Sequence, residues 1–331
     1  MTSAFRKGLG VAAAVSAVAL ALTACGGSSS GSGGTGSGKQ LTIGFVPGIA
    51  SDPFFKAMQT GAEAKAKELG IKLVWQGAAQ EYSPQSQIPF VDAMLTQHVD
   101  GLVIVPTDAD ALQPSVTKAQ SLRIPVVTVD TTVSDRSYLT AAITGDNNDG
   151  GRQAAKTLAQ QIGESGQVFV MNGSPTATTD QLRAKGFKAE LANHPNIQLV
   201  GEQYANSQPA QATSAVTNIL LKYQNLKGIF AVDGTAGTGT VAALRNTGKA
   251  HAVKLIGYDA YQNQVEDLKG GIYSALVAQK PGDEAALALQ DLVDTLTKHN
   301  VDQIQKNVVL PNVVMTADNL GQTAQYQYPA S

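Results

Sequence analysis

The chain has 331 residues, with 24 Lys or Arg against 26 Asp or Glu and a single cysteine. Mild acidity without a basic stripe argues against a nucleic-acid partner, which needs concentrated Lys and Arg to neutralise phosphates. One thiol supports neither a disulfide nor a thiolate metal site, and His98, His194, His251 and His299 are widely separated, so no metal is expected.

In chain order, Arg6 and Lys7 precede an uncharged apolar run over 11–22. A basic start followed by an apolar stretch too short to span a membrane predicts a secretory leader over 1–24. Cys25 follows Leu22-Thr23-Ala24 directly, the pattern of a bacterial lipoprotein signal. Its thiol is then expected to carry the lipid that holds the mature protein at the outer face of the cytoplasmic membrane. Without the leader, 22 basic side chains face 26 acidic ones, a net charge of −4. Residues 25–38 are almost purely Gly and Ser after the cysteine and read as a flexible tether. Gly27 to Gly31 matches G-x-S-x-G only as an accident of composition, because no strand precedes it and no helix follows.

From Leu41 onward, short apolar runs alternate with helix-length amphipathic segments. Strands are predicted at 41–46, 72–75, 101–105, 125–129, 167–171, 197–200, 228–232, 253–258, 274–278 and 308–310. Helices are read over 53–69, ended by Gly70, and over 211–221. Such alternation indicates α/β architecture, with mainly parallel sheets covered on both faces by helices. Ten strands exceed a comfortable single open sheet, so two doubly wound, Rossmann-like lobes are expected.

The strands end on polar residues. Asp130, Asp233 and Asp259 follow three of the runs directly, Gln279 follows a fourth, and the first strand leads to Asp52-Pro53-Phe54-Phe55. Ligands of doubly wound sheets bind beyond the carboxyl ends of the strands, so these side chains are candidates for one shared site. Each Asp is equally explicable as a helix N-cap. Carboxylates accept hydrogen bonds from vicinal hydroxyls, Gln both donates and accepts, and Phe54 and Phe55 offer faces to the C–H surface of a sugar ring. Arg183 is the nearest cation to four acids, a poor setting for phosphate or carboxylate groups, so a neutral or cationic ligand is expected. The chain contains no dinucleotide or P-loop glycine pattern, and no cofactor is expected. Trp75 is read as core packing.

The segments Asp52 to Phe55, Pro106 to Ala111, Pro125 to Asp130, Gly145 to Asn147, Arg183 to Phe187, Phe230 to Gly234, Gly257 to Asp259 and Ala278-Gln279 stand in an order and at separations that resemble the periplasmic sugar-binding proteins of the ribose-binding type. These are the solute receptors of ABC importers. The resemblance spans about residues 40–315 and implies two lobes joined by a three-segment hinge, with the ligand caught by hinge closure. It places the N-terminal lobe at 39–144 plus 280–307 and the C-terminal lobe at 145–279 plus 308–331. It implies ligand contacts at Asp52, Phe54, Phe55, Asp130, Asp233, Asp259 and Gln279. Thr131 and Gln181, which stand where ribose-type receptors carry arginines, and Ser207, near a usual aromatic, are expected to contact the ligand too; the arginine losses and the acid at Asp233 weaken the case for ribose itself. Arg183 is expected either in a structural ion pair at the site or in contact with the ligand. The implied function is capture of a neutral sugar or sugar alcohol by a monomeric, lipid-anchored receptor for a membrane permease. Two alternatives remain at this point: a receptor feeding a membrane sensor, and a glycosidase using Asp130 and Asp259.

Overall fold

The computed structural model describes residues 39–328. The leader, Cys25 and the tether lie outside the described residues, as do residues 329–331. In chain order the elements are β1 (Thr42–Val46), α1 (Pro53–Leu69), β2 (Lys72–Trp75), α2 (Pro84–Thr96), β3 (Gly101–Ile104), α3 (Gln113–Ser121), β4 (Val126–Val129) and β5 (Ala141–Gly145). There follow α4 (Asn147–Gln161), β6 (Gly166–Asn172), α5 (Thr178–Leu191), β7 (Ile197–Tyr204), α6 (Pro209–Lys222), β8 (Leu226–Ala231), α7 (Gly234–Asn246), β9 (Lys254–Tyr258), α8 (Gln262–Lys269), β10 (Tyr273–Ala278), α9 (Pro281–Thr297), β11 (Asn307–Leu310) and β12 (Val313–Met315).

The strands form two six-stranded sheets of matching order, β11-β5-β4-β3-β1-β2 and β12-β10-β9-β8-β6-β7. Every pairing is parallel except that of β12 with β10. Local chemistry starts and stops the helices. The Asp52 side chain accepts the Phe54 N–H at 2.8 Å, Pro53 occupies the first turn, and Gly70 ends α1 in the left-handed region at φ 66°. Val, Ile and Phe from β1, β3, β4 and β5 form the centre of the first sheet, and α9 packs Leu289 and Leu292 against it. Phe187 and Phe230 stack at 4.7 Å under α4 and α5 in the second.

Two strands escape the hydrophobic pattern. β5 reads Ala-Ala-Ile-Thr-Gly, too poor in large side chains to stand out, and β12 has three residues. The chain crosses between the sheets after β5, after β10 and after β11. The last crossing corrects the expected boundary after residue 307: β11 pairs with β5, from Asn307 opposite Ala142 to Leu310 opposite Gly145, and therefore completes the first sheet. The switch falls at Pro311-Asn312.

Two glycine contacts set how closely helices approach. A Cβ on Gly61 of α1 would lie 2.4 Å from Gly282 Cα of α9, and one on Gly186 of α5 would lie 2.0 Å from the Asn148 carbonyl oxygen of α4. The second contact draws α5 in far enough for Arg183 to enter the cleft.

Candidate functional site

The two sheets face each other with the carboxyl ends of their strands, and the side chains that follow those ends meet in one cleft. Asp130 after β4 and Asp259 after β9 occupy equivalent positions in the two lobes. Both adopt left-handed backbone, φ 62° and 73°. Both donate their N–H to the next strand at 2.9 Å, Asp130 to Ile143 and Asp259 to Val277. Aspartate tolerates this conformation because its short side chain bonds locally. Asp52, Phe54 and Phe55 enter from the start of α1, Asp233 from the N-cap of α7, Gln279 from the end of β10 and Arg183 from α5. Together with Ser207, all nine line a single cavity of about 60 Å³. That is several times the space one water needs, which fits a small solute.

Hydrogen bonds tie the lobes across this cavity. The Tyr261 hydroxyl reaches both oxygens of Asp52, at 2.8 and 2.9 Å, and the Thr176 hydroxyl donates to the Thr107 carbonyl at 3.3 Å. Arg183 approaches Asp130 at 4.0 Å and Asp180 at 3.7 Å, donates to Asn147 at 2.7 Å and to the Val232 carbonyl at 3.2 Å, and lies 3.8 Å over the Tyr258 ring. Its guanidinium is thus largely committed to protein partners. Asp259 accepts from the Gly234 N–H at 3.0 Å, Gln279 Nε2 at 2.7 Å and the Tyr328 hydroxyl at 3.2 Å.

Asp52, Asp130, Asp180 and Asp233, buried together beside one guanidinium, resist ionisation. Burial pushes Asp52 up to about 7, opposed by the Tyr261 hydroxyl and the Phe54 N–H and reinforced by the charges of Asp259 and Asp233. Burial raises Asp130 to about 7 as well, against the pull of Arg183. Asp180 is held well above the usual carboxylate range and Asp233 is raised, both chiefly by burial. Desolvation alone would lower Arg183, but Tyr258 and the surrounding carboxylates overcome it and keep the cation charged. Asp130 Oδ1 and Gln279 Oε1 are buried and accept no hydrogen bond within the described residues. A hydroxyl-bearing solute supplies the donors that such acceptors lack.

Two predicted contacts fall elsewhere. Thr131 does not line the cavity: its hydroxyl turns to the Pro106 carbonyl at 2.6 Å, because the left-handed backbone at Asp130 swings the next residue away. Gln181 is exposed on the outer lip, where its amide donates to the Pro175 carbonyl at 2.7 Å. Trp75, partly buried, packs against the core, its ring centroid 4.4 Å from that of Phe45. The cavity also recruits Tyr82, Thr179, Asp180, Thr235 and Tyr261, none of which was expected. Asp180 one turn before Arg183 and Tyr261 two residues after Asp259 carried usable local signals; Tyr82 sits in a loop with none. His194 Nδ1 meets Glu164 at 2.5 Å and its Nε2 stands 3.7 Å from Glu190, four residues before it, a helical spacing absent from the expectations above. The described residues contain no metal-holding group of three or more His, Cys, Asp or Glu.

A cavity closed between two lobes of like topology, which three chain crossings join, defines a two-lobed solute-binding protein. The family model described as periplasmic binding protein domain matches residues 43–300, and the chain belongs to that family. The family is one of binding proteins rather than enzymes, and it acts outside the cytoplasm. The chain is 29% identical to the ribose import binding protein RbsB of Bacillus subtilis over 82% of its own length and 86% of the relative's. It is 30% identical to the D-ribose/D-allose-binding protein of Pseudomonas aeruginosa, covering 81% and 86%. Among solved structures it resembles an ABC transporter solute-binding protein from Agrobacterium vitis bound to α-D-tagatopyranose, with a TM-score of 0.84, 28% identity, and coverage of 88% of this chain and all of that one.

Proposed function

We propose that this chain is the solute receptor of an ABC importer, that it captures a neutral monosaccharide or sugar alcohol between its lobes, and that a lipid on Cys25 holds it at the membrane. The observation that carries the reading is the lining of the cavity. Asp52, Asp130, Asp233 and Asp259 offer acceptors to hydroxyls, Phe54 and Phe55 offer rings at a centroid distance of 5.1 Å, and Arg183 is occupied by protein partners. The sugars bound by the relatives above support the same class. Closure is the signal: a solute that touches both lobes stabilises the closed form, which the permease then distinguishes from the open one.

The test is a thermal-shift and calorimetric screen of the mature chain carrying Cys25→Ser against D-ribose, D-allose, D-tagatose and xylitol. A bound solute at a hundred times its Kd adds about 2.7 kcal/mol of stability and raises Tm by several degrees. A flat response to all four, with a response to a cationic solute, would overturn the reading. The anchor is tested separately in cells: the Cys25→Ser chain is expected in the soluble fraction, and its retention on membranes would refute lipidation.

A further inference from the structure

After β12 the chain does not leave the molecule. It runs through short helical turns at Ala317–Asn319, Leu320–Thr323 and Ala324–Tyr326 and returns to the cleft. Tyr328 is inserted there with 4% of its surface exposed. Its N–H donates to the Ala260 carbonyl at 2.9 Å and its hydroxyl to Asp259 Oδ1 at 3.2 Å. Its ring meets Phe54 edge-on at 6.0 Å and Tyr261 at the same distance. Just before it, the Tyr326 ring receives Lys280 Nζ at 5.4 Å, beside the crossing that follows β10. One side chain therefore touches a first-lobe aromatic of the cavity and the second-lobe turn that carries Asp259.

We propose that Tyr328 is a positioning residue of the solute site and that the site is complete only when the segment 324–328 is docked. The hydroxyl joins Gln279 Nε2 on Asp259 Oδ1, while the Gly234 N–H holds the other oxygen, and so helps to fix the carboxylate's orientation; the ring backs Phe54 on the side away from the cavity. The inference rests on the sugar reading for the ligand alone. The placement of Asp259 and Phe54 is independent of it. Burial holds the Tyr328 phenol well above its ordinary range, with the Asp259 charge adding and the Gln279 backbone N–H opposing, so the hydroxyl keeps the proton it donates.

The experiment compares wild type, Tyr328→Phe and Tyr328→Ala in the mature chain carrying Cys25→Ser. Affinity for D-ribose, D-allose, D-tagatose and xylitol is measured by calorimetry. Amide hydrogen exchange at Gly234 and Asp259 to Tyr261 is measured without sugar, and Tm is recorded. Loss of a hydrogen bond to a charged group predicts that Tyr328→Phe weakens affinity about tenfold with little change in Tm. Tyr328→Ala loses more affinity and exchanges faster at those amides, and the Phe variant recovers the part due to the ring. Affinity unchanged in both variants, or a fall in Tm with affinity intact, overturns the proposal by reducing Tyr328 to packing. If wild type binds none of the four, the sugar reading fails and the exchange data still decide: faster exchange confined to the Asp259 turn supports positioning, and unchanged exchange overturns it.

Discussion

At the scale of single residues, Asp259 concentrates what the cleft does. It sits at φ 73°, so replacing it by alanine adds backbone strain to the loss of a carboxylate, whereas asparagine tolerates the conformation. Asp259→Asn is expected to keep Tm within a few degrees and lose affinity by about tenfold or more, read by calorimetry and a melting curve. Protons should report the same chemistry. Hydroxyl donors favour the ionised forms of Asp52 and Asp130, each raised to about 7 by burial in the closed cleft, so binding releases protons and affinity rises with pH up to about 7, then levels. For folding the sign reverses. A carboxyl raised in the folded state contributes stability that is fully present below its ordinary value and is lost as pH rises through the raised one, so Tm of the unliganded protein should fall between about pH 4 and 7. Titrating Kd and Tm in parallel checks both slopes. The strand-end acids were legible because each follows an apolar run directly. Tyr82 and Tyr328 were not, since their roles depend on loops brought back from 48 residues before Asp130 and 69 after Asp259.

At the scale of elements, the crossing of α4 and α5 decides how deep Arg183 reaches. Gly151 and Gly186 let each helix lie on the other's backbone, and a methyl group at Gly186 would meet the Asn148 carbonyl. Gly186→Ala is expected to cost about 1–3 kcal/mol in urea unfolding and to weaken solute binding by displacing Arg183. The motif Arg183-Ala184-Lys185-Gly186-Phe187 stood out in the sequence, but its physical reason, a backbone-to-backbone approach, appears only in the packed structure. The first turn of α9 carries a second device. Glu284 is fully buried, and burial, with the Asp130 charge adding and Arg183 and the Asp130 backbone opposing, holds it well above the usual range. A group raised in this way loses its stabilising contribution as pH climbs. Glu284→Gln should therefore gain stability relative to wild type from about pH 5 upward, as urea unfolding at several pH values will show. The strands β5 and β12 escaped the sequence pattern because one is built of small residues and the other is too short for any period.

At the scale of the whole molecule, the lobes are held shut by direct contacts. Tyr261 with Asp52 and Arg183 with Asp130 span the cleft. Removing the Tyr261 hydroxyl should shift the population toward the open form. Tyr261→Phe is expected to show a larger radius of gyration without solute and an affinity reduced about tenfold, with small-angle scattering and calorimetry as the checks. The two-lobed architecture followed from the number of strands and the way they end, whereas the third crossing did not, because nothing in a run of apolar residues tells which sheet receives it.

That crossing governs how the protein comes into being. The edge strand of the first sheet, β11, pairs with a partner 165 residues earlier, Asn307 with Ala142, and only two residues later the chain supplies the edge of the second sheet. Neither lobe is complete until the ribosome has made nearly the whole chain, and the loops to be closed are long, which slows the final assembly. A polypeptide that passes through a membrane pore before folding benefits from this order of events. In such a polypeptide both halves stay unfinished, and so threadable, until the last strands have been made.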